Sequence, residues 1–252
     1  MGNRKIKKVL ISIIVMVLGS FAFCATDFKN ILWDDYVVLR DAVYNSEAPA
    51  VQLMPLYEKA KSSAKTLFTS GDLYVALSRC DYIMGRAYSY ENNKDKAGEF
   101  YDSGSDYAEK AIDICDCAPA RLMFAENISQ NCSVKPVSYA ITMGTKVGGL
   151  AKDVLKHDPQ NGAALYMKSA QYIYAPSPFH NYKKGIKEMK EILDDKSVRL
   201  EKDDLFNITS AIGYGYMGKK EYEDAEIWLK KSLVYYPNNN YVNGLLNDIK
   251  NK

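Results

Sequence analysis

Histidine, zinc-spaced cysteine pairs, strand-like alternation and charge of one sign are all scarce or missing in this chain, and each shortage removes a class of function. Only His157 and His180 occur in 252 residues. His157 falls at the end of an expected helix, where its charge suits the helix dipole, and His180 lies in a proline-rich loop. Neither has Cys, Asp or Glu arranged locally as a triad or metal site requires. The five cysteines are Cys24, Cys80, Cys115, Cys117 and Cys132. Cys115 and Cys117 stand too close together for a C-x2-C zinc pair and have no second pair to match. Buried free thiols are the plain reading of Cys80, Cys115, Cys117 and Cys132; a disulfide in an oxidising compartment stays open. Asp34-Asp35, Asp194-Asp195 and Asp203-Asp204 are paired in sequence only, because successive helical residues point apart and acids at helix starts serve as caps. No enzyme activity, metal or cofactor is expected.

What is present begins with an export pattern. Arg4, Lys5, Lys7 and Lys8 form a positive head, and Val9 to Phe23 is an apolar run without charge, as in a secretory signal. The run falls short of the roughly 20 residues a comfortable membrane span needs. Ser20-Phe21-Ala22 offers small residues where a signal peptidase reads, so residues 1–22 are expected to be removed. Cys24 leaves open a lipid-anchored form, although Phe23 is larger than the residue that usually precedes a lipidated cysteine. Either way the body, residues 27–252, is expected to face the periplasm, with the membrane reached only through such an anchor. Removing the four basic residues of the head leaves 29 basic against 31 acidic side chains, a charge of −2. A near-neutral body argues against nucleic acid, whose binding needs a concentrated basic face.

The body reads as helices throughout, and no segment alternates as a strand. Apolar stripes at helical spacing run from Phe28 to Tyr44 and from Val51 to Phe68, the second ended by Ser70-Gly71. Leu73 to Tyr90 and Asp95 to about Cys115 follow, then Pro119 to Gln130 and Val137 to His157, with a link around Cys132 to Pro136 longer than a tight turn. The stretch from Gly162 holds a helix with Leu165, Ser169 and Tyr172, then Ala175-Pro176-Ser177-Pro178-Phe179-His180, then a helix with Gly185, Met189 and Ile192. The last unit, Phe206 to Asn239, is the clearest. Gly213 and Ala225 are small residues on successive helices, so the two axes can come close, with Tyr216 and Leu229 filling the space beside the crossing. Gly218 is expected to end the first helix in a left-handed conformation. The same intervals recur upstream, where Ala97 and Tyr101 follow Gly85 as Ala225 and Leu229 follow Gly213.

These spacings, taken over a 34-residue unit, resemble the tetratricopeptide repeat (TPR). The resemblance implies an all-α, right-handed α-solenoid of stacked antiparallel helix hairpins, with best repeats at 78–111, 162–199 and 206–239 and a capping helix at 240–251. The layout is also similar, more weakly, to exported envelope repeat proteins of spirochaetes and related bacteria, including the T component of tripartite periplasmic (TRAP) transporters. Gly213-Tyr214-Gly215-Tyr216-Met217-Gly218 satisfies G-x-G-x-x-G, but a dinucleotide fingerprint needs a strand before it and a helix opening within it. Here the glycines fall at a helix end.

In the repeat family, positions two, five, nine and twelve of each first helix line the inner face. Transferred to this chain they are Arg79, Tyr82, Arg86 and Ser89; Ala163, Tyr166, Ala170 and Ile173; and Asn207, Ser210, Tyr214 and Met217. Tyrosine, methionine and arginine are types enriched at interfaces. The expected function is a non-enzymatic scaffold holding a protein or peptide partner of the envelope in its groove. The alternative is a transport accessory that binds a small apolar ligand. Pro176, Phe179 and His180 form an inserted loop that is a second contact candidate. On this reading, Arg79→Ala with Arg86→Ala weakens partner capture without lowering the melting temperature.

Overall fold

A computed structural model describes residues 32–252. The export segment, its cleavage position at Ala22 and Cys24 therefore lie outside the described residues. The rest is helical: α1 (Asp34–Tyr44), α2 (Ala50–Leu67), α3 (Ser70–Tyr90), α4 (Lys94–Cys115), α5 (Ala118–Val134), α6 (Val137–His157), α7 (Gly162–Tyr174), α8 (Tyr182–Asp194), α9 (Lys202–Gly218), α10 (Tyr222–Ser232) and α11 (Asn240–Lys250). Among the described residues there is no strand, and the only bridge noted is an isolated one between Asn161 and Arg199. None of the described helices is long and apolar enough to cross a membrane.

Local chemistry accounts for most boundaries. The Asn93, Asn161, Asn181 and Asn239 side chains each accept a hydrogen bond from a backbone N–H in the first turn that follows, satisfying donors a helix start leaves open. Glu201 and Asp204 form a reciprocal capping box at the start of α9. Left-handed turns fall on Ser46, Ser70, Asn92, Asp116 and Lys220, and on no described glycine. Two sequence expectations are corrected here. Gly218 stays helical and Lys220 takes the left-handed conformation; Gly218 is small for another reason, since a Cβ there would lie 2.4 Å from the Tyr182 ring. Ser70-Gly71 does not close α2, which ends at Leu67, but opens α3. The link before α6 is also shorter than expected. α5 continues through Cys132 to Val134, where Asn131 donates to Asp102 of α4 at 3.0 Å, leaving Lys135 and Pro136 as the connection.

Each helix packs on the next in sequence, and the odd-numbered helices form a second set of contacts: α1 on α3, α3 on α5, α5 on α7, α7 on α9 and α9 on α11. The first helices of successive hairpins therefore stand in one row. Glycine permits the close crossings within hairpins. A Cβ at Gly85 would meet the Tyr101 ring at 2.4 Å, and one at Gly213 would meet Leu229 Cγ at 2.7 Å, so the two registers matched in the sequence make equivalent α3/α4 and α9/α10 contacts.

The row also returns on itself. α1 is seated against the last hairpin: Tyr44 stacks on Tyr236 with centroids 4.9 Å apart and meets Phe206 edge-on at 5.3 Å. The Asn239 amide donates to the Tyr44 carbonyl at 2.6 Å, and Asn240 N donates to Ser46 Oγ at 3.1 Å. One apolar core consequently holds residues of α1 to α4 together with Phe206, Leu229, Tyr236 and Val242. Smaller cores lie around Val147 and Met167, and around Ile173 and Ile212. Each aromatic pair at this junction adds about 0.5–1.5 kcal/mol beyond area burial.

Candidate functional site

α3 carries Tyr82, Arg86 and Tyr90 at four-residue spacing, which stacks them on one face. Arg86 Nη1 donates to the Tyr82 hydroxyl at 3.2 Å and Nη2 to the Tyr90 hydroxyl at 2.7 Å. The guanidinium carbon lies 4.9 Å from the Tyr44 ring centroid, 5.9 Å from Tyr82 and 5.3 Å from Tyr90, within the range at which ring faces attract a cation. Its Nε is buried and has no hydrogen-bond partner among the described residues.

Other first helices bring side chains to the same interior. Tyr166 and Tyr174 of α7 lie close enough for each to influence the titration of the other. The Tyr174 ring lies 5.3 Å from Tyr214 of α9, and Tyr90 stacks on Tyr241 of α11 at 6.4 Å. Tyr82, Tyr101, Tyr166, Tyr174 and Tyr241 all feel the charge of Arg86. Burial pushes the Tyr166 hydroxyl up to about 12 and that of Tyr174 well above its ordinary value. Yet Tyr174 is 45% exposed. A side chain that is accessible yet has much protein around it sits on an inward-facing surface, so Tyr174 lines the inner face of the row of first helices rather than a core.

Glu126 of α5 faces this interior half-buried, with no hydrogen bond or ion pair to its carboxyl among the described residues. Burial pushes it up to about 8, against the pull of Arg79 and with the push of Asp203 and Glu201. At neutral pH it is mostly the neutral acid.

Arg40 and Arg79 are buried and, unlike the half-buried Arg86, have carboxylate partners among the described residues. Arg40 reaches Asp203 at 3.0 Å, Glu201 at 3.4 Å and Asp41 at 3.1 Å, while Arg79, 3% exposed, reaches Glu201 at 3.3 Å and lies over the Tyr36 ring. Burial drives the nearby Asp204 carboxyl well above the usual range. This ionic knot sits where α1 and α3 meet the start of α9.

The residues expected from the sequence thus separate into groups. Tyr82, Arg86, Tyr166 and Tyr214 lie on the inner face with Tyr174. Arg79 and Asn207 are bedded in the junction with α1, Asn207 Nδ2 donating to the Tyr44 hydroxyl at 3.1 Å. Ser210 is buried and donates to the Asn207 carbonyl. Ser89 hydrogen-bonds to Tyr101 at 2.9 Å, and Ile173 is 1% exposed, against Gly185 and Gly215. Met217 packs half-buried on the large core. In the inserted loop Phe179 is 75% exposed, His180 stacks on Tyr182 at 4.5 Å, and Pro176 accepts from Phe179 N at 2.8 Å.

Sequence reasoning missed Tyr44, Tyr90, Glu126, Tyr174 and Tyr241. Tyr90 and Tyr174 carried a signal, since both occupy position thirteen of their units and extend the Tyr82/Arg86 and Tyr166/Ala170 stripes by one further turn. Position twelve points elsewhere in both units, as Ser89 and Ile173 show. An open surface hollow of about 320 Å³ lies apart from this inner face, between α8 and the end of α9, beside Lys183, Lys187, Lys190 and Tyr216. Its lysines are spread along a solvated helix face, and Lys190 is engaged by the Tyr216 hydroxyl at 2.7 Å. Among the described residues no three His, Cys, Asp or Glu side chains are grouped to hold a metal ion.

No family model matches this chain, and no characterised protein compared with it by sequence is similar to it.

Proposed function

We propose that this protein is a non-enzymatic binding protein of the bacterial envelope, a TPR-type right-handed helical solenoid that holds a small organic ligand on the inner face carrying Arg86, Tyr166, Tyr174 and Tyr214. The observation that carries this reading is Arg86, held by the Tyr82 and Tyr90 hydroxyls and in no ion pair among the described residues, on the inner face that also carries the accessible ring of Tyr174. The row of first helices and the two matched glycine registers support the repeat reading. The basic head and apolar run before Cys24 support export. The seating of α1 on the last hairpin supports a small ligand over an extended protein segment.

Native mass spectrometry of the purified mature protein tests this. A bound organic molecule, lost together with tyrosine protection in the Tyr174→Ala variant, is the expected result. A bare wild-type protein that also takes up no ligand from envelope extract overturns the reading. A second reading, a protein partner docking at the inserted loop, rests on the exposure of Phe179; Phe179→Ser should abolish cross-linking to that partner while leaving small-ligand binding intact.

A further inference from the structure

We infer that Cys115 and Cys117 are a reversible dithiol–disulfide pair, a thiol-exchange site for small disulfides at the elbow between α4 and α5. The site is separate from the inner face and independent of the ligand reading above. Sequence leaves the pairing of the cysteines open; the fold leaves one pairing within reach. Cys132 lies fifteen residues along α5 from Cys117, about 22 Å away at the helical rise. Cys80 is fully buried in α3, where Ser78 Oγ donates to the Gly104 carbonyl at 2.7 Å. That contact sets Cys80 level with the middle of α4, so about 16 Å of helix separates it from Cys115. Neither distance can be bridged without unfolding a helix.

Cys115 and Cys117, by contrast, are set for each other. Cys115 is the last residue of α4, Cys117 caps the start of α5, and Asp116 turns the chain between them in the left-handed conformation, with φ 44° and ψ 40°. Residues on either side of one with helical geometry, of either hand, have Cα atoms about 5.4 Å apart, inside the roughly 4.4–6.8 Å that a disulfide spans. Both cysteines carry thiols and both are half-buried, so a small reagent reaches them. A bridge across a single residue closes too short a loop to staple the fold, which suits exchange rather than structure.

The two thiols differ in role. Cys117 sits at the N-terminus of a 17-residue helix, whose dipole favours the thiolate, and the Asp116 carboxylate beside it is engaged by Arg121 at 2.5 Å. Cys115 Sγ instead donates to the Ala111 carbonyl at 3.2 Å, which favours the protonated thiol. Cys117 therefore attacks first. Its thiolate joins one sulfur of the external disulfide and expels the other as a thiolate, which takes up the proton Cys117 gave up. Cys115 then loses its proton and attacks the Cys117 sulfur, and the second external thiolate leaves and is protonated. Two protein thiols are oxidised to one disulfide, and the external disulfide is reduced to two thiols.

The probe is oxidised glutathione, added to the intact wild-type protein under native conditions, followed by acid quenching, alkylation and peptide mapping. The peptide holding Cys115 and Cys117 should lose two hydrogens and both alkylation sites together, and excess reduced glutathione should restore them. Cys115→Ser should trap a glutathione adduct on Cys117, formed several-fold faster than the adduct on Cys115 in Cys117→Ser. Thiols at 115 and 117 that stay unbridged or carry separate glutathione adducts in the wild-type protein overturn the inference, as does a bridge from either to Cys24, Cys80 or Cys132. Equal adduct rates in the two variants overturn the assignment of Cys117 as the attacking thiol.

Discussion

Arg79 and Arg86 lie two turns apart on α3 and face opposite fates on substitution. Arg79 is enclosed with Glu201 and the Tyr36 ring, so Arg79→Ala leaves Glu201 to Arg40 alone and removes a buried packing contact, and should lower stability by about 1–3 kcal/mol in denaturant titration. This replaces the sequence-based expectation of an unchanged melting temperature for the pair. Glu126 gives a second prediction. Its folded pKa of about 8 lies above its ordinary 4.5, so the fold favours the protonated form. Below pH 4.5 both states carry the proton and there is no penalty; stability is lost as pH rises from 4.5 to 8 and is level above that. Glu126→Gln should remove this slope and stabilise the protein by about 1–2 kcal/mol at pH 9, discounted for water at the inner face. Half of the inner face was legible at this scale. Tyr82, Arg86, Tyr166 and Tyr214 followed from helical register. Glu126 did not, because what singles it out is the absence of a partner, which no spacing encodes.

Helices and their crossings were the most legible scale, since apolar stripes, asparagine caps and small residues act over a few turns of chain. The glycines show where that reasoning holds and where it stops. Gly213 and Gly149 look alike in sequence, yet a Cβ at Gly213 would lie 2.7 Å from Leu229 Cγ and 3.1 Å from its backbone nitrogen, while one at Gly149 meets nothing within 4 Å. Gly213→Ala should therefore force α9 and α10 apart at a cost of about 1–3 kcal/mol. Gly149→Ala should instead stabilise α6 by about 0.5–1 kcal/mol through helix propensity. Thermal unfolding of both variants checks the pair, and equal shifts would remove the close-crossing explanation. Gly218 was misread because a glycine at a helix end suits either a left-handed cap or a neighbour's ring, and the Tyr182 ring is supplied by another helix.

At the scale of the whole molecule, the seating of α1 on the last hairpin had no counterpart in the sequence. Arg40 and Asp203, or Tyr44 and Asn239, stand more than 160 residues apart, and no periodic pattern links them. Their meeting seats α1 on the last hairpin and brings the Tyr44 ring 4.9 Å from the Arg86 guanidinium. The measurement that tests this most directly is a cross-link between Ser46→Cys and Asn240→Cys, where the Asn240 backbone N–H now donates to Ser46 Oγ at 3.1 Å. Mild oxidation should join the two new thiols, identified by peptide mapping apart from Cys80, Cys115, Cys117 and Cys132, and should raise the unfolding midpoint by closing a long loop. Free thiols at 46 and 240 after oxidation, in a variant with unchanged helical content, would mean that the two ends stand apart and that α1 does not seat on the last hairpin.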